Sequence, residues 1–320
     1  MISWQLNQVP LKFQLGDLTL FSVALAMQTR LDSLSDETRA VESPACPGVP
    51  LERGSQGFMI RALPVAGELP RLRAIDGFLR YVPLQYGHCY IDLRMTFDEY
   101  QNKFSSKTRA TIKRKLRKYA EHCGGQIDWK TFASPHEMRD FHRLAREVSR
   151  KTYQERLLDA GIPDTEEFLR EMEELAAAGQ VRGYVLFDRG RPVSYLYCPG
   201  RDATLVYAYL GYDPADMQHS VGTVLQWLAV QQMFEEGIFK FFDFTEGQSD
   251  HKRLFATHEL RCANVIFVRR TLLNTLLLRS HWGMDRLSKW LGDSLQAMGL
   301  KDWVRRRLRF GGAATTAVSP

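Results

Sequence analysis

The stretch from Tyr207 to Ala256 constrains the fold of this chain more than any other. It reads YAYLGYDPADMQHSVGTVLQWLAVQQMFEEGIFKFFDFTEGQSDHKRLFA. A strand-like run ends in a turn bearing Gly222, and the turn opens a helix that Gly237 terminates. The next run, Phe239–Phe244, is almost wholly apolar, as a strand covered on both faces must be. A short segment with His251 and Lys252 follows. Strand, helix and doubly covered strand in that order specify an α/β layer arrangement. A helix N-terminus beside a strand end is also a place to hold a phosphate and do chemistry next to it.

The remainder of the chain fits around that stretch. Thr96 and Glu99 have the spacing of a capping box, so a helix starts there, and a second helix is predicted over Ser106–His122, stopped by Gly124 and Gly125. Ser134-Pro135-His136-Glu137 opens another, with Phe141, Leu144, Ala145 and Val148 on its inner face. Pro163-Asp164-Thr165 opens a further one that ends near Gly179. Val181–Phe187 and Pro192–Cys198 flank Asp188-Arg189-Gly190-Arg191, the signature of a β-hairpin. Ala203–Leu210 is predicted as one strand, Ser220 as the cap of a helix reaching Glu236, and Cys262–Arg269 as a last strand. With Gln126–Phe132 as the first strand, the order is β-α-α-β-β-β-α-β-α-β, a mixed sheet with helices. Residues 1–95 read as short strands (Leu11–Gln14, Leu18–Ala26, Gly57–Leu63, Cys89–Leu93) with an exposed loop over Ser33–Ser55. The expected division is 1–95, a β-rich region; 96–270, the main domain; and 271–320, a basic helical tail.

Composition bounds the class. The chain has 320 residues, of which 44% are hydrophobic and 25% charged, ordinary for a soluble globular protein. Five scattered cysteines with no paired spacing argue against a disulfide framework or a zinc site, and no metal is expected. A reducing, cytoplasmic setting fits. No charged leader precedes an apolar run, and the run Leu18–Met27 is too short to cross a bilayer. The net charge of +6 is concentrated: ten Arg and Lys against three Asp lie between Arg269 and Phe310. The body is therefore near neutral, unlike a uniformly basic nucleic-acid binder.

The candidate site residues fall into three groups. Ser220, Val221, Gly222 and Thr223 sit where a helix begins. Gly222 admits close approach to the backbone, and the unpaired N–H groups of the first turn face outward, so the group either cradles a pyrophosphate or is a plain helix cap. Asp243 interrupts the apolar strand near its C-terminal end, where open α/β sheets place ligands. With Glu246 it offers a base, and Lys252 is either its structural partner or a cation able to stabilise an oxyanion during acyl transfer. Tyr209, among Tyr207, Tyr209 and Tyr212, is a candidate proton donor to a leaving thiolate, or a core residue.

The order of these elements resembles the GNAT acyltransferase fold. The segments Tyr212-Asp213-Pro214, Ser220-Val221-Gly222-Thr223, Asp243-Phe244 and Gly247 through Lys252 are similar to the CelD-type (cellulose-biosynthesis-type) branch, which is related to FemAB peptidyltransferases. The helix FSSKTRATIKRKLRKY (Phe104–Tyr119) matches that branch's basic segment. The resemblance spans roughly residues 90–270. Val221 stands where the branch usually has proline, His251 where it has tyrosine, and only His219-x-x-Gly222-x-Val224 remains of the usual glycine motif. The resemblance implies an N-acyltransferase moving an acyl group from acyl-CoA to an amine acceptor, with Lys252 stabilising charge on the donor and a setting in polysaccharide or envelope metabolism. A FemAB-like enzyme using aminoacyl-tRNA and a non-catalytic scaffold are the alternatives.

Two basic regions bear on partners. Lys103 to Lys118 holds eight Lys and Arg and no acid, with Ile112, Leu116 and Tyr119 as a narrow apolar stripe. It is either a solvated face or a wall for an anionic substrate, with Arg109 and Lys113 the candidates and Tyr153 a candidate for the acceptor side. Sparse aromatics argue against nucleic acid as a partner unless tRNA is the donor. The tail, with Trp282, Trp290, Trp303 and Arg305-Arg306-Arg307, suits either a helix docked on the protein or peripheral contact with the inner face of a membrane.

Overall fold

The computed structural model describes residues 4–16, 18–32, 34–35, 38–152, 161–247 and 249–297. The strands before the first helix are β1 (Gln5–Leu15), β2 (Leu18–Leu31), β3 (Gly57–Pro64), β4 (Leu72–Ile75) and β5 (Phe78–Asp92). Then come α1 (Phe97–Asn102), α2 (Ser106–His122), β6 (Asp128–Phe132), α3 (Pro135–Ser149), α4 (Glu166–Ala177), β7 (Val181–Asp188), β8 (Arg191–Arg201), β9 (Thr204–Val206) and β10 (Tyr209–Tyr212). A 3-10 turn over Pro214–His219 leads to α5 (Val221–Glu236), β11 (Phe241–Asp243), α6 (Asp250–Phe255), β12 (His258–Arg269) and α7 (Leu272–Ala297). The chain forms two compact units: a first of Met1–Asp32, Ala40–Gln85 and Ala263–Pro320, and a second of Ser33–Arg39 and Tyr86–Cys262.

The second unit is a mixed sheet in the order β5-β11-β9-β8-β7-β6, with β10 also pairing β8. β11 runs parallel to β9 and antiparallel to β5. Alternation along the strands divides the core in two, because successive side chains face opposite sides. Tyr184, Leu186, Leu196 and Cys198 join α1, α2 and α5 through Tyr100, Ile112, Tyr119, Leu225 and Val230. Val185, Tyr195 and Tyr197 join α3 and α4 through Phe141, Ala145, Val148 and Met172. The mixed sheet flanked by helices expected from the sequence is therefore present.

Local chemistry sets the element boundaries. The Thr96 and Ser134 capping boxes both form. The β7–β8 hairpin turns through Arg189 and Gly190 at φ 51 and 79, the left-handed pair that matches strand twist. Two strand expectations change. The strand predicted over Ala203–Leu210 is broken into β9 and β10, and β5 extends far beyond Cys89–Leu93. Pro83 and Gly87 inside β5 mimic strand breaks in sequence, which hides its length.

The first unit holds β1-β2-β3-β12, with β4 on β5, and the helix α7. β1 and β2 form an antiparallel pair, and β2 runs parallel to β3. Its apolar clusters centre on Phe13, Met27, Tyr81, Ile266 and Leu278, and on Phe58, Val82, Val265 and Phe267.

Candidate active site

The break between β9 and β10 creates the site. β9 pairs β8 with Leu205 opposite Gly200, whereas β10 pairs it with Tyr209 opposite Tyr197. The register has slipped by one residue, a bulge that turns the following side chains to the other face. β9 stays bonded to β11, ending where the Tyr207 N–H donates to Asp243 O at 2.8 Å. Beyond that point β10 pairs only β8 among the described strands. The opening is a cavity of about 330 Å³ lined by Tyr207, Leu210, Tyr212, Met217, Ser220–Thr223 and His251.

The start of α5 forms one wall. Ser220 lies in the left-handed region, φ 56 and ψ 35, and its side chain makes no capping bond. This corrects the expectation of a serine cap. The preceding 3-10 turn delivers the chain to α5 in that left-handed conformation. The Ser220 carbonyl instead accepts from the Thr223 and Val224 N–H groups, at 2.9 and 3.0 Å. The Val221 and Gly222 N–H groups have no backbone partner among the described residues. A Cβ on Gly222 would stand 3.3 Å from the Tyr212 ring, so glycine is what lets that ring close on the turn.

Lys115 adds a cation here: its Nζ is 3.5 Å from Thr223 Oγ1. The helix spacing that buries Ile112 and Tyr119 turns Lys115 inward with them. The two basic residues singled out from sequence lie elsewhere. Arg109 bonds Asn102 at 2.8 Å, and Lys113 is exposed. Tyr153 lies outside the described residues.

His251, on α6, closes the cavity. Its Nε2 bonds Gln226 Oε1, and Gln226 is fully buried in α5. Burial, reinforced by the charge of Lys115, lowers the His251 pKa below its usual 6.5. A neutral ring that donates Nε2–H to Gln226 keeps its Nδ1 lone pair as an acceptor.

Asp243 does not bond Lys252. Its Oδ1 lies 2.5 Å from His88 Nε2 and accepts the Thr245 N–H at 2.7 Å. The left-handed Thr245 and Gly247, φ 60 and 95, turn the chain directly after β11 and bring that N–H back to the carboxylate. Lys252 Nζ donates to Glu246 O at 2.8 Å. Burial lowers the Lys252 pKa, while Asp243 acts against that shift. The Glu246 side chain is exposed. Tyr209 is not at the cavity: the bulge turns it to the opposite face, against Phe168 and Tyr197.

Of the residues singled out from sequence, Ser220–Thr223 lie at the cavity with Tyr207, Tyr212 and His251, and Lys115 reaches Thr223. His88, Lys115 and Gln226 were not found. Gln226 did carry a signal, as an amide inside the otherwise apolar run VLQWLAV. Among the described residues no group of three His, Cys, Asp or Glu side chains is placed to hold a metal ion.

Residues 106–253 match the family profile described as acetyltransferase (GNAT) domain. This stretch is similar to GNAT acetyltransferase domains, and its mixed sheet flanked by helices is GNAT-like. None of the curated proteins matches the sequence. Among solved structures, FemX aligns with a TM-score of 0.49 at 11% identity, covering 70% of this chain and 75% of FemX. L-PGS from Bacillus licheniformis aligns with 0.42 at 14% identity, covering 69% and 71%. A GCN5-related N-acetyltransferase from Kribbella flavida aligns with 0.32 at 11% identity, covering 61% and 62%.

Proposed function

We propose that the cavity at the head of α5 binds the pyrophosphate end of an acyl-CoA, and that the acyl group passes from it to an amine acceptor. The observation that carries this reading is the open first turn of a 16-residue helix, with two N–H groups that have no backbone partner among the described residues and the Lys115 ammonium beside a gap between strands. Such a turn presents positive potential and donors together. The amine attacks the thioester carbonyl, the C–N bond forms and the C–S bond breaks. The neutral His251 ring takes the proton the amine loses. Burial pushes the Tyr207 phenol well above its ordinary range, so it stays protonated and serves as donor to the departing sulfur. Lys252 supplies positive charge for the oxyanion.

The motif pattern around Tyr212, Ser220, Asp243 and Lys252 supports reading this activity as CelD-type, with an envelope or polysaccharide amine as the proposed acceptor. One observation favours a second donor. α2 exposes Lys107, Lys113, Arg114, Arg117 and Lys118 on the helix that brings Lys115 to the cavity, and an aminoacyl-tRNA would place phosphates along it.

Calorimetry with coenzyme A and acetyl-CoA tests the first reading. Wild type is expected to bind, and Gly222→Glu, which puts a carboxylate into the cradle, to lose at least tenfold in affinity. No binding of any CoA thioester by wild type would overturn the donor. Equal binding by both proteins would overturn the location. Retention of aminoacyl-tRNA without CoA binding would establish the second reading.

A further inference from the structure

The helix α7 is apolar on two opposite faces. Its inner face carries Leu277, Leu278 and Met284 into the core formed with Phe13 and Tyr81. Its outer face presents Leu272, Leu276, Leu287 and Trp290, which are 91, 66, 46 and 63% exposed, with Leu273 beside them at 80%. At 3.6 residues per turn the first four fall in one narrow strip. A helix docked only on its own sheet is polar on the outside. An exposed apolar strip of this extent marks a surface that meets something.

The charge around the strip says what it meets. Arg279, Arg286 and Lys289 run along one side of it, and none has an ion-pair partner among the described residues. At the N-terminal end of the helix a cavity of about 400 Å³ is lined by Arg73, Arg270 and Arg279, together with Thr271, Thr275 and Leu272. No carboxylate lines it. Three guanidinium groups around one cavity repel one another and match a phosphate, which accepts their paired donors. Leu272 forms part of that wall and continues into the strip. Phosphate chemistry and hydrocarbon chemistry are thus side by side, as they are in a phospholipid. A second copy of the chain would bring its own arginines to the same place and be repelled.

We propose that the first unit docks on an anionic membrane, with the outer face of α7 lying in the lipid interface and the Arg73–Arg270–Arg279 cavity holding a lipid phosphate. No described helix is long and apolar enough to cross a bilayer, so the contact is with the surface. None of its residues lines the cavity at the head of α5, and its test does not depend on the acyl-transfer reading.

Co-sedimentation of the full chain with phosphatidylcholine vesicles, with and without phosphatidylglycerol, tests this. The chain is expected to sediment only with the anionic vesicles, and less at high salt. Replacing all three arginines (Arg73→Ala, Arg270→Ala, Arg279→Ala) is expected to lower partition about a hundredfold, roughly fivefold for each cation lost. Leu272→Glu with Leu276→Glu is expected to lower it at least tenfold. These side chains are exposed, so circular dichroism and the melting temperature should be unchanged. Absence of sedimentation by wild type, equal sedimentation with neutral vesicles, or unchanged partition of either variant would overturn the proposal. A shift from dimer to monomer in the leucine variant, with vesicle binding intact, would overturn it in favour of self-association.

Discussion

At the scale of the residue, His251 shows burial and charge acting in one direction. Burial disfavours its protonated form, and the Lys115 ammonium adds to that. As the pH falls past 6.5 the unfolded chain takes up this proton before the folded chain does. The stability tied to a neutral His251 is therefore complete above 6.5 and is lost as the pH falls toward the folded value. Lys115→Met should raise the His251 pKa toward 6.5, read directly as the imidazole shift in an NMR titration, and should move the acid limb of turnover upward with it. An unchanged titration would show that Lys115 does not act on the ring. The sequence reveals this site unevenly. Ser220–Thr223 can be read because a helix start is local chemistry, written in adjacent residues. The Lys115, Gln226 and His88 contacts cannot, because each depends on which helix or strand becomes a neighbour. Tyr209 was misplaced for a related reason: one inserted residue in the strand exchanges the two faces, and tyrosine spacing does not reveal which residue is extra.

At the scale of the element, capping signals were the most reliable guide. Ser134 and Glu137 start α3: the Ser134 hydroxyl donates to Glu137 Oε2 at 2.7 Å, and the Ser134 N–H does so at 3.2 Å. These bonds, the Ser134 hydroxyl foremost and then the Ser134 and Ala133 N–H groups and Lys130, hold the Glu137 carboxyl down from 4.5 to about 2. A depressed carboxylate stabilises the fold above its unfolded pKa, and that contribution is lost as the pH falls from 4.5 toward 2. Glu137→Ala should cost about 1 kcal/mol near neutral pH, the usual worth of a helix cap. Its stability deficit should vanish near pH 2, as measured by urea midpoints against pH. A deficit that persists at pH 2 would mean that the side chain acts through packing. Strands were harder to read than helices. β11 keeps only three residues of the apolar run Phe239–Phe244, because β9 and β5 are its partners only over that length. Apolarity reports burial, whereas strand length depends on the partners.

At the scale of the whole molecule, the two units differ in how the chain builds them. The second is nearly one stretch, Tyr86–Cys262, and holds both of its apolar clusters and every residue lining the cavity at the head of α5. The first brings Met1–Asp32 together with residues after Ala263, which closes a long loop at an entropic cost that local contacts do not repay. The stretch 86–262 should therefore fold alone and unfold cooperatively in urea. It loses the bond from Thr204 Oγ1 to Leu34 O, worth about 1 kcal/mol. It should still bind coenzyme A within a few-fold of the full chain. A fragment begun at residue 96 should behave differently. It lacks β5, the antiparallel partner of β11, and with it Cys89 and Ile91, both fully buried in the larger cluster. Removing two such side chains from a packed core costs several kcal/mol, a large part of the stability of a domain this size. Circular dichroism and calorimetry on both fragments test the difference: a structured, binding-competent fragment from residue 96 would show that β5 is dispensable, and an unfolded 86–262 would show that the second unit does not stand alone.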